Sequence, residues 1–576
     1  MVQGFPLINF LSAARKVKLH KRNRTRIEDK EKVNSMAKPK NKKNAKGKRG
    51  GGPPGGGPPV NNQKARMREM NRQLEQGEKL WKDGDPYGAL EILEDLLQKN
   101  PRNSHILFLS GVLYIEIGMV QEAIERMEEA DKLDQDNPMI LGSLALGYVL
   151  NNNPAHALMA YRQLRSTDED GSLYGLEERE RVKALEQLFQ VEADTQQVTR
   201  VRMEQAMLMM ERGELAVTRG ESEQGMKYLE QAANQLPKWS PPRNNKATYL
   251  WRGGQAEEAI QSLRSVLEEL DGENIHALSN LVQFLARAEQ TKEAQSYMER
   301  LLQVFEKSAQ AKPEAAGLEA SIPLYYKTAE ALAALQNHQT LYALLKSGEE
   351  VGLEYDQTFF RLLAASSWNL GQTEEAHQYW AKLEDEEKTP SDQGIQTALA
   401  RPRPADAPAW RVPYFDSSDL VPPGVLVQML ILNEELGEFD SEMMQAAYQK
   451  FKPYYPFLEA ELQALTIGPE MVIEATLAVL VAIATPEIRQ MLMTFGLGLD
   501  GTEKARHMAI SALISLGELP AEGEIRFWSE ETAEWQNLAL ADFPPFPSDE
   551  EEDDGDDFEF EDGENEDSDD FATLKP

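Results

Sequence analysis

The feature that most constrains the fold of this chain is a spacing of 34 residues at which the same residue types return. Three copies start at Met70, Ser104 and Pro138, with small residues at positions eight and twenty and Gly or Asn at position fifteen. In that order the residues are Gly77, Gly111 and Ala145, then Ala89, Ala123 and Ala157, then Gly84, Gly118 and Asn152. Small residues at these intervals predict two helices that cross closely, and Gly or Asn between them predicts a turn with positive φ.

Further copies keep this pattern more loosely. They start at Ala206, Ser240, Ile275 and Gln357, and their small packing residues are Gly213, Ala259, Ala294 and Ala376. The segment 322–355 fits with Leu341 where Ala is usual, so its register is left open. We number these starts as copies one to eight, with Ile322 starting copy seven, and predict seven or eight repeats.

The pattern resembles the tetratricopeptide repeat, a helix–turn–helix unit whose copies stack into a right-handed superhelix. The resemblance implies an all-α solenoid whose first helices line a concave groove, where a partner's peptide or helix binds. It also implies that positions two, five, nine, twelve and thirteen of each copy face that groove. In copies two and three this predicts partner-binding roles for His105, Phe108, Val112, Ile115, Met139, Leu146, Val149 and Leu150.

Three interpretations of such an apolar groove are possible. The groove binds a partner, another segment of the same chain covers it, or it forms the interface between two copies of the chain. If it is open, replacing Phe108 and Val112 by Glu should leave helix content and melting temperature unchanged while removing partner binding, whereas unfolding would place both residues in the core. The clamp with which some relatives hold chaperone tails is not predicted, because positions five and nine of copy one are Leu74 and Glu78.

Charge is concentrated at the two ends of the 576-residue chain. Residues 1–50 hold 16 Lys or Arg against 3 acidic residues, and residues 549–570 hold 16 Asp or Glu and no basic residue. Both ends are predicted to be disordered. The formal net charge of −35 restricts nucleic-acid binding to the basic end, so a nucleic-acid- or ribosome-associated factor that uses Lys16 to Arg49 is the alternative function. The two ends would also attract each other, and Met36 is a second candidate start of translation.

The carboxyl-terminal third differs from the repeats. Residues 391–423 are rich in Pro, and an apolar helical stretch follows. In it, Asp500 and Arg506 resemble the pair that links neighbouring units in HEAT repeats, with Thr485 to Phe495 as the preceding helix. The short run Glu524 to Ser529 is predicted either as one strand or as a capping segment. The longest apolar stretch, Met471 to Ala484, is too short to cross a bilayer.

The predicted division is a disordered basic tail over 1–60, a first array over 70–171 and a helical connector over 172–205. A second array over 206–390, a Pro-rich linker over 391–423, a helical HEAT-like domain over 424–540 and a disordered acidic tail over 541–576 complete it.

Residue types for catalysis and metal binding are sparse. The chain has no Cys and 7 scattered His, and it has no glycine-rich phosphate loop of the strand–helix kind. We therefore expect no enzyme activity, no cofactor, no metal and no membrane contact, and a cytoplasmic location suits the absence of Cys. The predicted function is that of a protein-binding scaffold or adaptor.

Overall fold

The computed structural model describes residues 60–168, 175–310, 322–351, 353, 356–383, 389–426, 441–544 and 546. The chain divides into two compact units, Met1–Phe359 and Phe360–Pro576. The all-helical repeat fold predicted from the sequence is confirmed, with one two-stranded hairpin added in the second unit.

The first unit is a succession of helix pairs that follow the repeat copies. The helices are α1 (Val60–Lys82), α2 (Pro86–Lys99), α3 (Ser104–Glu116), α4 (Val120–Leu133), α5 (Pro138–Leu150), α6 (Pro154–Thr167), α7 (Leu176–Thr195), α8 (Arg200–Thr218), α9 (Ser222–Gln235), α10 (Pro241–Arg252), α11 (Ala256–Ser265), α12 (Ile275–Arg287), α13 (Thr291–Gln310), α14 (Ile322–Ala334) and α15 (His338–Glu350). Copies one to seven begin with α1, α3, α5, α8, α10, α12 and α14. We call these the first helices and their partners the second helices.

The turn inside each copy has positive φ at position fifteen. This confirms the prediction for Gly84, Gly118 and Asn152, whose φ values are +93°, +84° and +58°. Gly220, Gly254 and Gly371 behave in the same way, and so do Glu289 (+56°) and Gln336 (+53°). Glu and Gln rarely adopt this conformation, so the repeat geometry imposes it against local preference.

Close crossing of the two helices in a copy depends on positions eight and twenty. The ten small packing residues named above are all buried. In copy four both positions are Gly: a Cβ on Gly213 would lie 2.8 Å from Leu229 Cγ and 2.9 Å from the carbonyl oxygen of Gly225. The backbones of α8 and α9 therefore touch where a methyl group separates the helices of other copies.

Two departures from the period have local causes. The step from Ser240 to Ile275 is 35 residues, and a π-helical turn over Val266–Leu270 directly after α11 absorbs the additional residue. The 34 residues between copies three and four hold one long helix, α7, followed by the start of α8 six residues ahead of Ala206.

The second unit begins within copy eight. Its helices are α16 (Gln357–Asn369, with the first unit ending at Phe359), α17 (Thr373–Trp380), α18 (Pro390–Ala400), α19 (Ser417–Leu420), α20 (Ser441–Phe451), α21 (Phe457–Ile467), α22 (Glu470–Ile483), α23 (Pro486–Gly496) and α24 (Glu503–Ser515). Strands β1 (Glu524–Ser529) and β2 (Glu534–Ala539) pair antiparallel, with Glu524 opposite Ala539.

The hairpin is held by the Arg that resembled a HEAT linker. Arg506 on α24 is fully buried and donates to the carbonyl oxygens of Gly498 (3.1 Å) and Trp528 (2.9 Å). Asp500 accepts from Arg403 at 2.9 Å. Arg506 therefore ties α24 to the hairpin, and Asp500, just before α24, binds Arg403 of the Pro-rich segment, which differs from a link between helical units.

Candidate functional site

The structure buries half of the predicted groove residues. Phe108, Val112, Leu146 and Val149 are only 6 %, 4 %, 6 % and 1 % exposed, so these four positions are closed to solvent and do not form an open apolar surface. His105 is exposed, and Ile115, Met139 and Leu150 are half-buried. In α3 the eight consecutive residues from Ile106 to Leu113 are all buried. A helix that is apolar all round is enclosed on every side, and the sequence pattern did not reveal that enclosure.

The first helices of copies four to seven carry a different surface. A hydrogen-bonded set of polar side chains crosses α8, α10, α12 and α14, and we call it the polar row. Its members are Glu214, Asn245, Thr248, Asn280, Gln283, Lys327 and Glu330. All are half-buried except Gln283, which is 8 % exposed. The polar row therefore borders solvent where copies two and three are closed.

The bonds of the polar row repeat from copy to copy. Asn245 donates to Glu214 on the preceding first helix, and Asn280 Nδ2 donates to Thr248 Oγ1 at 3.3 Å. Further along, Gln283 Nε2 donates to Glu330 Oε2 at 3.4 Å. The acceptors Glu214 and Thr248 stand at position nine of their copies, and the two Asn residues stand at position six of the next copy. A sequence signal for this site existed: Asn at position six in two successive copies.

The polar row contains one carboxyl with a raised pKa and one ion pair. Burial raises the pKa of Glu214 to about 7, so this carboxyl is partly protonated at neutral pH. Lys327 Nζ and Glu330 Oε2 form an ion pair of 2.6 Å. Arg252 and Arg287, four residues after Thr248 and Gln283 on the same helix faces, add positive charge beside the row.

The two Asn amides have acceptor capacity. Each donates through Nδ2, and among the hydrogen bonds of the described residues none uses Oδ1 of Asn245 or Asn280. A carbonyl oxygen at equivalent places on successive first helices can accept N–H groups of an extended polypeptide. The arrangement suits binding rather than bond-breaking chemistry.

A main-chain contact of this kind exists within the second unit. Asn369, the last residue of α16, donates Nδ2 to the Val412 carbonyl oxygen and accepts the Val412 N–H on Oδ1, both at 2.9 Å. Next to it, Trp368 Nε1 donates to the Trp410 carbonyl oxygen at 2.9 Å. The first helix of copy eight therefore holds an extended segment of its own chain by main-chain groups.

Other classes of site are not found in the described part of the chain. No group of three or more His, Asp or Glu in it could hold a metal ion, and no helix in it is long and apolar enough to cross a membrane. The basic residues 1–59 and the acidic residues 549–576, with the roles predicted for them, lie outside the described residues.

Comparison with known proteins agrees with the repeat assignment. Residues 80–146 match the family model described as tetratricopeptide repeat. The TPR repeat-containing protein YvcD of Bacillus subtilis is 24 % identical over 317 residues, which cover 54 % of this chain and 60 % of that protein. The chain thus aligns with less than two thirds of that curated relative's length.

Two solved structures are among those similar to parts of this chain. The P58(IPK) TPR domain is 13 % identical, with a TM-score of 0.21 over 54 % of this chain and 92 % of that one. A second structure is the complex of the TPR2AB domain of yeast Sti1 with pHSP90. It is 16 % identical, with a TM-score of 0.20, and the match covers 46 % of this chain and 99 % of that one.

Residues 80–146 of this chain are thus similar to tetratricopeptide repeats, and the helix pairs of the first unit have the arrangement typical of that repeat. Repeats of this kind support a role of the protein–protein interaction scaffold kind.

Proposed function

We propose that the chain is an adaptor that acts by binding alone, and that an extended segment of a partner protein lies across the polar row. One observation carries this proposal: Asn245 and Asn280 stand at the same position of successive first helices, half-buried, with no hydrogen bond to either Oδ1 among the described residues. Such acceptors match the N–H groups of an extended main chain. The cytoplasmic location expected from the sequence belongs to the same proposal.

Two further observations support an extended ligand. The members of the polar row are amides, a hydroxyl, a carboxyl and an ion pair, which offer hydrogen bonds to a main chain rather than an apolar face for an amphipathic helix. The same fold element in copy eight holds Val412 by its main chain through Asn369. Arg252 and Arg287 favour acidic side chains on the partner, since each would bring a carboxylate near a cation.

The accessible members of the first predicted site stay in the proposal as flanking contacts. These are His105, Ile115, Met139 and Leu150. The four buried members are closed to solvent, so we expect variants of them to change stability before binding.

The test is peptide selection followed by substitution in the polar row. Full-length protein would be used to select binders from an unbiased library of 12-residue peptides, and affinity would then be measured for Asn245→Leu with Asn280→Leu. Loss of two hydrogen bonds at about 1 kcal/mol each predicts binding weaker by about 30-fold. Asn234→Leu, an exposed Asn on second helix α9, is the matched control. Equal affinity of the double variant and the control would contradict the proposal, provided that circular dichroism shows both folded.

A further inference from the structure

Residues 401–416, which we call the strap, have little regular structure of their own. Among the described backbone hydrogen bonds, only that from Ala407 N–H to the Pro404 carbonyl oxygen joins two residues within 402–415. Side chains from elsewhere in the second unit satisfy other strap groups: Trp528 Nε1 donates to the Pro402 carbonyl oxygen at 3.0 Å, and Gln463 Nε2 donates to that of Phe415 at 2.9 Å. Recognition of main-chain groups by side chains is how an extended peptide is held by a receptor.

The contact with copy eight uses positions that the repeat resemblance predicts to face a ligand. Trp368 and Asn369 stand at positions twelve and thirteen, and they bond to Trp410 and Val412. At position five, Arg361 pairs with Asp392 at the start of α18, with an Nη2 to Oδ2 distance of 2.8 Å. Positions five, twelve and thirteen of copy eight therefore contact Asp392, Trp410 and Val412 of the same chain.

The strap also shows a side-chain pattern. Val412 is 3 % exposed and Trp410 is half-buried, whereas Arg411 between them is exposed. In an extended chain alternate side chains point to opposite sides, which fits the burial of the first and third residues of this triplet and the exposure of the middle one. The fold thus shelters the first and third side chains of this triplet and leaves the second in solvent.

We infer that the first helix of copy eight is a peptide-binding site for an extended Trp-x-Val segment, and that the strap occupies it as an internal ligand. A partner protein that presents this triplet in extended form displaces the strap. Displacement needs strong binding, because a tethered segment competes at an effective concentration on the order of millimolar. This site is separate from the polar row, and neither depends on the other.

The test uses a free peptide of the strap sequence, residues 404–416, with its Arg replaced by Gln so that trypsin does not cut it. The matched control peptide is N-methylated at the Val nitrogen, which removes the N–H that Asn369 accepts. Binding is measured by fluorescence anisotropy to the full chain and to a strap-released variant, Trp410→Ser with Val412→Asp. The released variant should bind the peptide at least tenfold more tightly than the unaltered chain. Adding Asn369→Leu, or using the N-methylated peptide, should remove that binding.

A second measurement needs no substitution. Displacement exposes the bond after Arg411, so saturating peptide should speed tryptic cleavage there severalfold in the unaltered chain, while the N-methylated peptide should not. Two results would overturn the inference. One is a folded released variant that binds neither peptide, or binds both equally. The other is a rate of tryptic cleavage after Arg411 that neither peptide increases. This second result decides the question if the released variant does not fold.

Discussion

Replacing the glycine at position eight by alanine should have opposite effects in two copies of the repeat. A Cβ on Gly77 would lie 3.6 Å from both the Ala89 carbonyl oxygen and Ile92 Cγ2, which is ordinary contact. Alanine is preferred to glycine inside a helix, so Gly77→Ala should stabilise the protein by about 0.5–1 kcal/mol.

The same change at Gly213 places a methyl group 2.9 Å from the Gly225 carbonyl oxygen and 2.8 Å from Leu229 Cγ. Overpacking costs about 1–3 kcal/mol, and a backbone oxygen cannot rotate away, so the upper part of that range applies. After subtraction of the helix preference, Gly213→Ala should destabilise the protein by about 1–2 kcal/mol.

Native-state hydrogen exchange is the assay of choice, because repeat arrays open locally and a single melting temperature averages over copies. Amides of α1 and α2 should exchange more slowly in Gly77→Ala, and those of α8 and α9 faster in Gly213→Ala. Gly118→Ala is the control for backbone strain alone, since a Cβ there meets no atom within 4 Å while φ is +84°. Slower exchange of α8 and α9 in Gly213→Ala would refute the close backbone crossing.

Three further predictions concern burial, turn strain and pH. Phe108→Ala should destabilise the protein by about 3–5 kcal/mol in urea titration, while His105→Ala on the same helix should change stability by less than about 0.5 kcal/mol. Glu289→Gly and Gln336→Gly should each raise stability by about 0.5–1 kcal/mol, measured by thermal unfolding, because left-handed backbone is costly for other residues. Burial raises the pKa of Glu214 to about 7, so the folded chain binds this proton more tightly than the unfolded chain. The resulting stability is full below about pH 4.3 and is lost as pH rises through 7, and Glu214→Gln should lessen the fall in urea midpoint between pH 5.5 and 8.

The sequence was sufficient for the repeat unit because its signals are local. Gly84 and Gly118 mark turns that need positive φ, and the small residues at positions eight and twenty mark the helix crossing. Glu289 and Gln336 adopt the same turn without a sequence signal, because the stacking of neighbouring copies determines their backbone.

The candidate sites depend on long-range contacts, which residue spacing does not encode. The periodic pattern put Phe108 and Val112 on a ligand-facing side, but it does not show how completely α3 is enclosed. The Pro content of 391–423 indicated a linker, yet Trp368 and Trp410, 42 residues apart, meet there through a hydrogen bond. Strand β2 was not predicted, because its side chains are exposed or half-buried and lack a regular alternation of buried and exposed positions.

The central claim is that an extended partner segment binds across the first helices of copies four to seven. A hydrogen-exchange footprint of the full chain with a selected peptide tests it most directly. The proposal predicts slower exchange in α8, α10, α12 and α14 on binding, with the footprint lost in Asn245→Leu with Asn280→Leu and kept in Asn234→Leu. A footprint confined to the second helices, or to α3 and α5, would contradict it.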